Sequence, residues 1–175
     1  MKKPIISTPR LMLHKIADQD AEAVVDLFLS PVVAKTYMVP ELPNREAAYP
    51  LFERIKTLSA DPERFVYGVY FDQQFIGLVN QVDVQEKTIE LGYAYLPQYY
   101  NQGFATEALI ACINALLKDG YDAVRTGAFE ENAASLRVME KAGMVRIDET
   151  ETVEYRGKDR LCIFYEQSQK NISKK

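Results

Sequence analysis

Three consecutive segments rich in aromatic and β-branched residues in the middle of the chain constrain its fold most strongly. They run from Phe65 to Phe71, from Phe75 to Val84 and from Thr88 to Leu96, and this composition is typical of β-strands. The connections at residues 72–74 and 85–87 are short and polar, which suits hairpin turns. The segments therefore predict an antiparallel three-stranded meander.

Helical spacing of apolar residues flanks this meander on both sides. It predicts a helix around residues 21–28, with Asp18 or Asp20 as its cap, and a second helix over residues 45–58. After the meander, helices are predicted from Thr106 to Leu117 and after Asn132, ended by Gly120 and Gly143 respectively. Further strands are predicted at residues 10–16, 123–128, 146–154 and 160–166. This order predicts an α+β fold in which helices pack on a mixed sheet.

Length and composition limit the domain organisation and exclude some functions. A chain of 175 residues with 47% hydrophobic content suits one compact domain, expected at residues 1–168 with a polar tail at 169–175. The net charge is −4, whereas proteins that bind nucleic acids need clusters of basic residues to neutralise phosphates. Nucleic-acid binding is therefore not expected.

No apolar run approaches the roughly 20 residues of a membrane span, and the N-terminal segment lacks the pattern of a signal peptide. We therefore expect a cytoplasmic protein without a membrane partner. Cys112 and Cys162 lie within apolar runs, where buried, unpaired cysteines are expected rather than a disulfide.

The stretch after the third meander strand carries the first candidate site. The strand leads into a turn in which Gly103 opens a helix, so the N–H groups of residues 103–106 are expected to point out of a positive helix end. Such an end binds anions, and a pyrophosphate would fit it. An ordinary helix start, with small residues chosen for packing, explains the same residues equally well. The stretch has neither a Walker loop nor the three spaced glycines of a Rossmann fingerprint.

Asn132 and Ser135 form the second candidate site, about thirty residues after the turn. Taken alone, they are a helix-capping residue and its partner three positions later. A binding role is the alternative.

Three stretches taken together resemble a known family. TPRLMLHKI at 8–16, ELGYAYLPQYYNQGFATEA at 90–108 and NAASLRVMEKAGM at 132–144 are similar to the opening strand, the acetyl-CoA motif and the later motif of GNAT enzymes. The resemblance is to the ribosomal-protein alanine and serine acetyltransferase type. It covers nearly the whole chain, with the motifs in the family's order.

The resemblance implies a fold and a cofactor. The implied fold is a central mixed, mostly antiparallel sheet with a splayed strand pair and helices on both faces, and the implied co-substrate is acetyl-CoA. The pantetheine arm would lie against strand backbone at Tyr95 and Leu96 and hydrogen-bond Asn132, with Ser135 near the thioester sulfur. The resemblance assigns the pyrophosphate to Gln102, Gly103, Phe104, Ala105 and Thr106.

The chain departs from the family pattern at four positions. Tyr100 and Asn101 replace the usual first two residues of the turn motif, and His14 replaces the arginine that usually follows the opening strand. The tyrosine that protonates the leaving thiolate in many family members aligns with Met139, which cannot donate a proton. By position, Ser135 is the alternative candidate.

Glu90 is the leading candidate for a general base. It precedes the segment that would splay, on the same strand face as the small residues Gly92 and Ala94. A solvated strand glutamate is the alternative. An α-amino group with a pKa of about 7.7–8.0 needs only a weak base, whereas a lysine needs far more help. With no His–Cys pair and no cluster of metal ligands, direct attack by the amine in a ternary complex, without a metal, is expected.

The sequence leaves the acceptor open. The N-terminal α-amine of a protein is the leading candidate, and a small amine such as a polyamine, an amino acid or a drug is the alternative. A catalytically silent acyl-CoA-binding regulator is a third possibility. Either a monomer or a homodimer is compatible with the sequence.

Overall fold

A computed structural model describes residues 3–169 of the chain. These residues form eight strands and four α-helices, with short 3₁₀ turns between them. The strands are β1 (Ile6–Ser7), β2 (Leu11–His14), β3 (Val66–Phe71), β4 (Gln74–Gln85), β5 (Thr88–Tyr95), β6 (Ala123–Phe129), β7 (Val145–Tyr155) and β8 (Lys158–Ser168). The helices are α1 (Ala21–Leu29), α2 (Tyr49–Ala60), α3 (Phe104–Lys118) and α4 (Ala133–Lys141).

The eight strands form one sheet in the order β1-β2-β3-β4-β5-β6-β8-β7. The pairs β1–β2, β2–β3, β3–β4, β6–β8 and β7–β8 are antiparallel, and β5–β6 is parallel. The predicted α+β class with a mixed, mostly antiparallel sheet is confirmed. The registered pairs of β5 with β6 extend only from Thr88 to Leu91, although β5 continues to Tyr95.

The chain divides into two compact units. One comprises Met1–Asn80 and Tyr93–Ala108, and the other comprises Gln81–Gly92 and Leu109–Lys175. The first unit therefore holds β1–β3, most of β4 and the end of β5, and the second holds the start of β5 with β6, β7 and β8.

The first unit has an apolar core between its strands and the helices α1 and α2. Val24, Val25 and Phe28 of α1 and Phe52 of α2 are buried in it, as the helical spacing predicted. Asp20 precedes α1 but does not cap it with its side chain. Its carboxylate instead accepts hydrogen bonds from the N–H of Ala17 at 2.8 Å and from the hydroxyl of Tyr70 at 2.6 Å.

The second unit contains an apolar cluster of Phe129, Tyr155, Cys162 and Phe164. Cys112 and Cys162 are both buried and unpaired, as predicted.

Residues 170–175 of the predicted polar tail lie outside the described residues. Gln169, its first residue, donates from its N–H to the carbonyl of Asp122 at 3.4 Å and from its side chain to that of Leu117 at 3.0 Å.

The predicted element boundaries differ from the observed ones mainly where turns are tight. The predicted connector of residues 155–159 is a two-residue hairpin turn at Arg156 and Gly157, with φ of 53° and 71°. Positive φ at both central residues is the geometry of a type I′ turn. The helix predicted from residue 45 begins as a 3₁₀ turn at residues 46–48 and becomes α-helical only at Tyr49.

Within residues 3–169, no helix combines the length and the hydropathy that a membrane crossing requires.

Gly77 of β4 allows a close approach of the end of β5. A Cβ atom at this position would collide with the carbonyl oxygen of Ala94 and lie 2.6 Å from the ring of Tyr95. The neighbouring N–H of Leu96 donates to the carbonyl of Ile76 at 2.9 Å. A side chain at residue 77 would therefore displace the strand end that leads into the candidate site.

We expect Gly77→Ala to destabilise the protein by about 2 kcal/mol or more, because it overpacks a site bounded by backbone. For a chain of this size, this lowers the melting temperature by roughly 4–8 °C, measurable by circular dichroism. Gly157→Ala is the matched control: its new Cβ meets no atom within 4 Å, and only the left-handed backbone is strained. Equal melting temperatures for the two variants would contradict the steric argument.

Candidate functional site

The turn between β5 and α3 holds the predicted anion site. After β5, a 3₁₀ turn at Pro97–Tyr99 leads to Asn101 and Gly103, whose φ values are 60° and 80°. These two left-handed residues reverse the chain so that it enters α3 at Phe104. A left-handed conformation is accessible to glycine without cost and is tolerated by asparagine, which explains both residue types.

The first turn of α3 leaves its N–H groups available. The first helical hydrogen bond runs from the N–H of Glu107 to the carbonyl of Gly103 at 3.0 Å. The N–H groups of Phe104, Ala105 and Thr106 precede this first donor and have no carbonyl one turn earlier in the helix to bond to. The helix dipole adds a partial positive charge at the same end of this 15-residue helix.

The surface over Gly103 is open. A Cβ atom there would meet only one atom within 4 Å, Nη2 of Arg10 at 3.3 Å. Gln102 and Gly103 are exposed, whereas the side chain of Phe104 is buried and packs on Phe71 with ring centroids 4.7 Å apart. Phe104 thus anchors the helix and presents only its N–H. Free N–H groups, an open glycine and a neighbouring guanidinium fit a diphosphate.

Tyr95 and Leu96 lie at the end of β5 with buried side chains. The N–H of Leu96 is committed to the carbonyl of Ile76 in β4, and its carbonyl accepts from the N–H of Tyr99 at 2.9 Å. Because backbone groups of successive strand residues point to opposite edges, the N–H and C=O of Tyr95 point away from β4.

Asn132 and Ser135 lie together at the start of α4. The Asn132 side-chain oxygen accepts a hydrogen bond from the N–H of Ser135 at 3.2 Å, so Asn132 is the helix cap. Both residues are half-buried. Asn132 therefore caps α4 through its side-chain oxygen, and the binding and catalytic roles of Asn132 and Ser135 stay predictions from the sequence.

Glu90 is half-buried on β5 beside Arg125 of β6, with which it is paired in register. Burial raises the pKa of the Glu90 carboxyl above its ordinary value. Arg125 opposes this rise, and the negative charges of Asp83, Glu151 and Glu149 reinforce it. A carboxylate with a raised pKa accepts a proton more readily near neutral pH.

Arg125 is held by two other carboxylates. Its Nη1 donates to Glu149 at 2.9 Å and its Nη2 to Glu166 at 3.5 Å. Its Nε is buried without a hydrogen-bond partner among the described residues. The guanidinium charge is thus shared between neighbours, which explains why Arg125 does not cancel the effect of burial on Glu90.

Two of the residues that depart from the family pattern, Met139 and His14, pack against other parts of the protein. Met139 is fully buried in α4, where it packs as a core residue. His14 stacks on Tyr70 with ring centroids 3.8 Å apart, and its Nδ1 lies 2.9 Å from the carbonyl of Lys15. Tyr100 is 40% exposed and precedes the left-handed residue Asn101.

The predicted residues fall into two groups by unit. Tyr95, Leu96 and the turn residues 102–106 belong to the first unit. Glu90, Asn132 and Ser135 belong to the second. No cluster of three or more potential metal ligands occurs among residues 3–169.

Sequence analysis assigned no role to Arg10 and Glu107, although both lie within quoted motifs. The structure joins them by an ion pair of 2.6 Å beside the turn. Opposite charges 97 positions apart carry no local signal, so spacing alone does not reveal this pair.

Comparisons with known proteins agree on the family. The profile of the Acetyltransferase (GNAT) domain matches residues 10–145. The chain is 29% identical over 149 residues to the uncharacterized N-acetyltransferase YoaA of Bacillus subtilis (strain 168), covering 80% of this chain and 82% of that protein.

Two solved structures share the fold. A GNAT-family acetyltransferase from Bacillus anthracis superposes with a TM-score of 0.82 at 22% identity, covering 95% of this chain and 99% of that one. RimL, a ribosomal L7/L12 α-N-protein acetyltransferase in complex with coenzyme A, superposes with a TM-score of 0.82 at 16% identity, covering 94% and 98%. At these identities the structures establish the fold alone.

The raised pKa of Glu90 has a consequence for stability. A carboxyl whose pKa is higher in the folded state makes stability fall as the pH rises from its unfolded value of about 4.3 through the folded value. Ionising the Glu90 carboxyl therefore costs more free energy in the folded protein than in the unfolded chain. We expect Glu90→Gln to melt at the same or a slightly higher temperature than the wild type at pH 7, with the difference vanishing near pH 4.

Thermal melts between pH 4 and pH 7 test this expectation. Glu154→Gln, which changes an exposed carboxylate of the same unit, is the matched control. A Glu90→Gln protein less stable by more than about 1 kcal/mol at pH 7 would instead make the carboxylate a structural partner of Arg125.

Proposed function

The chain belongs to the GNAT acetyltransferase family, and we propose that it acetylates the N-terminal α-amine of a protein, using acetyl-CoA. The observation that carries this proposal is the turn at residues 101–106, where left-handed residues and free N–H groups suit the diphosphate of coenzyme A. The acyl thioester is what acetyl-CoA supplies when bound. The residues of this chain hold it, bind the amine and handle the protons.

The turn residues Gln102 to Thr106 bind the diphosphate through backbone N–H groups. Tyr95 contributes strand backbone to the pantetheine arm, because its N–H and C=O point away from β4. Asn132, whose oxygen caps α4, retains an amide N–H₂ that can donate to the same arm. These contacts orient the thioester without a protein nucleophile.

Glu90 accepts the proton that the amine gives up, directly or through a water molecule. Burial and the neighbouring carboxylates raise its pKa, which brings a glutamate closer to the basicity that this step needs. Ser135, on the first turn of α4, is the candidate to protonate the leaving sulfur, because Met139 is buried and has no proton to give.

Two observations favour an α-amine as acceptor. An α-amino group, with a pKa of about 7.7–8.0, is partly neutral at pH 7, whereas a lysine is not. A single half-buried glutamate therefore suffices as the base. RimL, which shares the fold, is described as an α-N-protein acetyltransferase, which supports the same acceptor class.

An acceptor panel tests the proposal directly. With acetyl-CoA present, release of free thiol is measured for peptides with a free N-terminal alanine or serine. The comparison acceptors are the same peptides blocked at the N-terminus but carrying lysine, polyamines and aminoglycosides. We expect the free N-terminal peptides to be preferred, with mass spectrometry placing the acetyl group on the α-amine. Preference for a small amine, or no thiol release at all, would refute the proposed acceptor.

We expect acetyl-CoA at a hundredfold excess over its Kd to stabilise the wild type by about 2.7 kcal/mol. Gly103→Glu should abolish this stabilisation, because it places a bulky anion over the turn. Gly120→Glu is the matched control: Gly120 is also left-handed, with φ of 103°, and has open space around it. Thermal shift assays compare the three proteins. A ligand-induced shift retained by Gly103→Glu would remove the diphosphate from this turn.

A pH series tests Glu90 as the base. Glu90→Gln keeps the shape of the side chain but cannot accept the proton, so kcat/KM should fall most near pH 7. Above about pH 9, where an α-amine is already largely neutral, the variant should approach the wild type. A defect that stays constant from pH 6.5 to pH 9.5 would mean that Glu90 positions the substrate instead.

A further inference from the structure

The opening segment of the chain saturates a carboxylate at the start of α3. The hydroxyl of Thr8 and the N–H of Arg10 both donate to Oε1 of Glu107, at 2.6 Å and 3.0 Å. Nε of Arg10 donates to Oε2 of the same carboxylate at 2.6 Å. Both carboxylate oxygens are therefore occupied by donors from one short segment.

Arg10 also contacts three successive residues of the turn. Its Nη1 donates to the carbonyl of Gln102 at 3.0 Å. Its guanidinium lies over the ring of Phe104, 4.6 Å from the centroid. Its Nη2 is the one atom that a Cβ at Gly103 would approach within 4 Å. One side chain thus links the anion turn to the first turn of the helix.

The position of Glu107 creates an electrostatic conflict. A carboxylate in the first turn of a helix is stabilised by the positive end of the helix dipole. The same negative charge repels a second anion bound at that end. Its side chain is only 18% exposed, so water screens this repulsion less than at an open surface. Burial alone would raise the pKa of Glu107, but hydrogen bonds from Thr8 and Arg10 outweigh it and hold the pKa below its ordinary value. The carboxylate is therefore charged at neutral pH.

We propose that Arg10 is a positioning residue for cofactor binding, which neutralises Glu107 and fixes the turn at residues 102–104 for the diphosphate. This role rests on the proposed function, because it requires coenzyme A at the turn. Nε and Nη1 of Arg10 are both committed to protein acceptors. The proposed role of Arg10 is therefore to act through Glu107 and the Gln102 carbonyl, and direct binding of the phosphate by Nη2 is the alternative that the double-mutant cycle tests.

If Arg10 acts by neutralising the charge of Glu107, a double-mutant cycle of these two residues has a defined outcome. Without Arg10, the charge of Glu107 is left uncompensated beside the diphosphate, so Arg10→Ala should weaken coenzyme A binding about tenfold or more, or at least 1.4 kcal/mol. Adding Glu107→Gln removes that charge and should recover affinity to within about threefold of Glu107→Gln alone. Pantetheine, which lacks the diphosphate, should bind all variants equally.

Dissociation constants are measured by NMR titration of the full chain with coenzyme A and with pantetheine at fixed ionic strength. Arg45→Ala is the matched control: Arg45 is similarly exposed and pairs with two carboxylates, Glu22 and Asp26, in the same unit. It should leave both ligands unaffected. Thermal melts confirm that each variant is folded at the titration temperature.

The outcomes separate this role from its alternatives. The role is overturned if Arg10→Ala leaves the affinity for coenzyme A unchanged. It is also overturned if the variant lowers the affinity for pantetheine as much as that for coenzyme A. A double variant as weak as Arg10→Ala also overturns it, because Arg10 would then bind the phosphate directly. If the wild type binds coenzyme A no more tightly than pantetheine, the turn does not bind the diphosphate and the proposed function fails. If only the Arg10→Ala result differs from expectation, the proposed function stands and the role of Arg10 alone fails.

Discussion

The reversal of the chain between β5 and α3 is the constraint on which the rest of the candidate site depends. It requires two left-handed residues, Asn101 and Gly103, within three positions. The reversal places the start of a 15-residue helix directly after a strand. The burial of Phe104 holds the helix end in place, and the close approach of β4 at Gly77 holds the strand end. Packing on both sides of the turn therefore fixes the direction in which its N–H groups point.

The raised pKa of Glu90 depends on a different kind of constraint: the positive charge of Arg125 only partly offsets the effect of burial. Arg125 lies beside Glu90 in the parallel strand pair, and alone it would keep that carboxyl acidic. Because Arg125 is also bonded to Glu149 and Glu166, its effect on Glu90 is diluted. Burial then dominates. In the same protein, Glu107 is fully satisfied by donors and has a lowered pKa, so two glutamates acquire opposite character from their partners.

Features that depend on residues close together in the sequence could be predicted from the sequence. The meander at residues 65–96, the helix α4 with its cap at Asn132 and its end at Gly143, and the two buried cysteines all follow from local residue types. Two features could not be predicted because they depend on distant partners. Asp20, one of the two residues predicted to cap α1, lies at the cap position without a side-chain cap bond, and its carboxylate instead accepts from Tyr70, fifty residues away. Arg10 and Glu107 are 97 positions apart in the sequence and meet only in the folded chain.

The resemblance to a family predicts the binding residues, and the structure shows which of their polar groups are already used within the protein. The backbone N–H and C=O of Leu96 are both hydrogen-bonded within the protein. Asn132 is a cap first and can be a ligand only through its amide nitrogen.

The backbone character of the anion turn has a consequence for sequence divergence. An N–H group is common to nineteen of the twenty amino acids, so a site built from the N–H groups of residues 104–106 constrains their side chains only weakly. Proline is excluded, and a glycine or asparagine is favoured where φ is positive. The remaining positions are free to drift as long as the helix and its anchor are kept. Related chains can therefore keep this recognition while losing most of their shared residues, and the acceptor side of the protein can change without disturbing it.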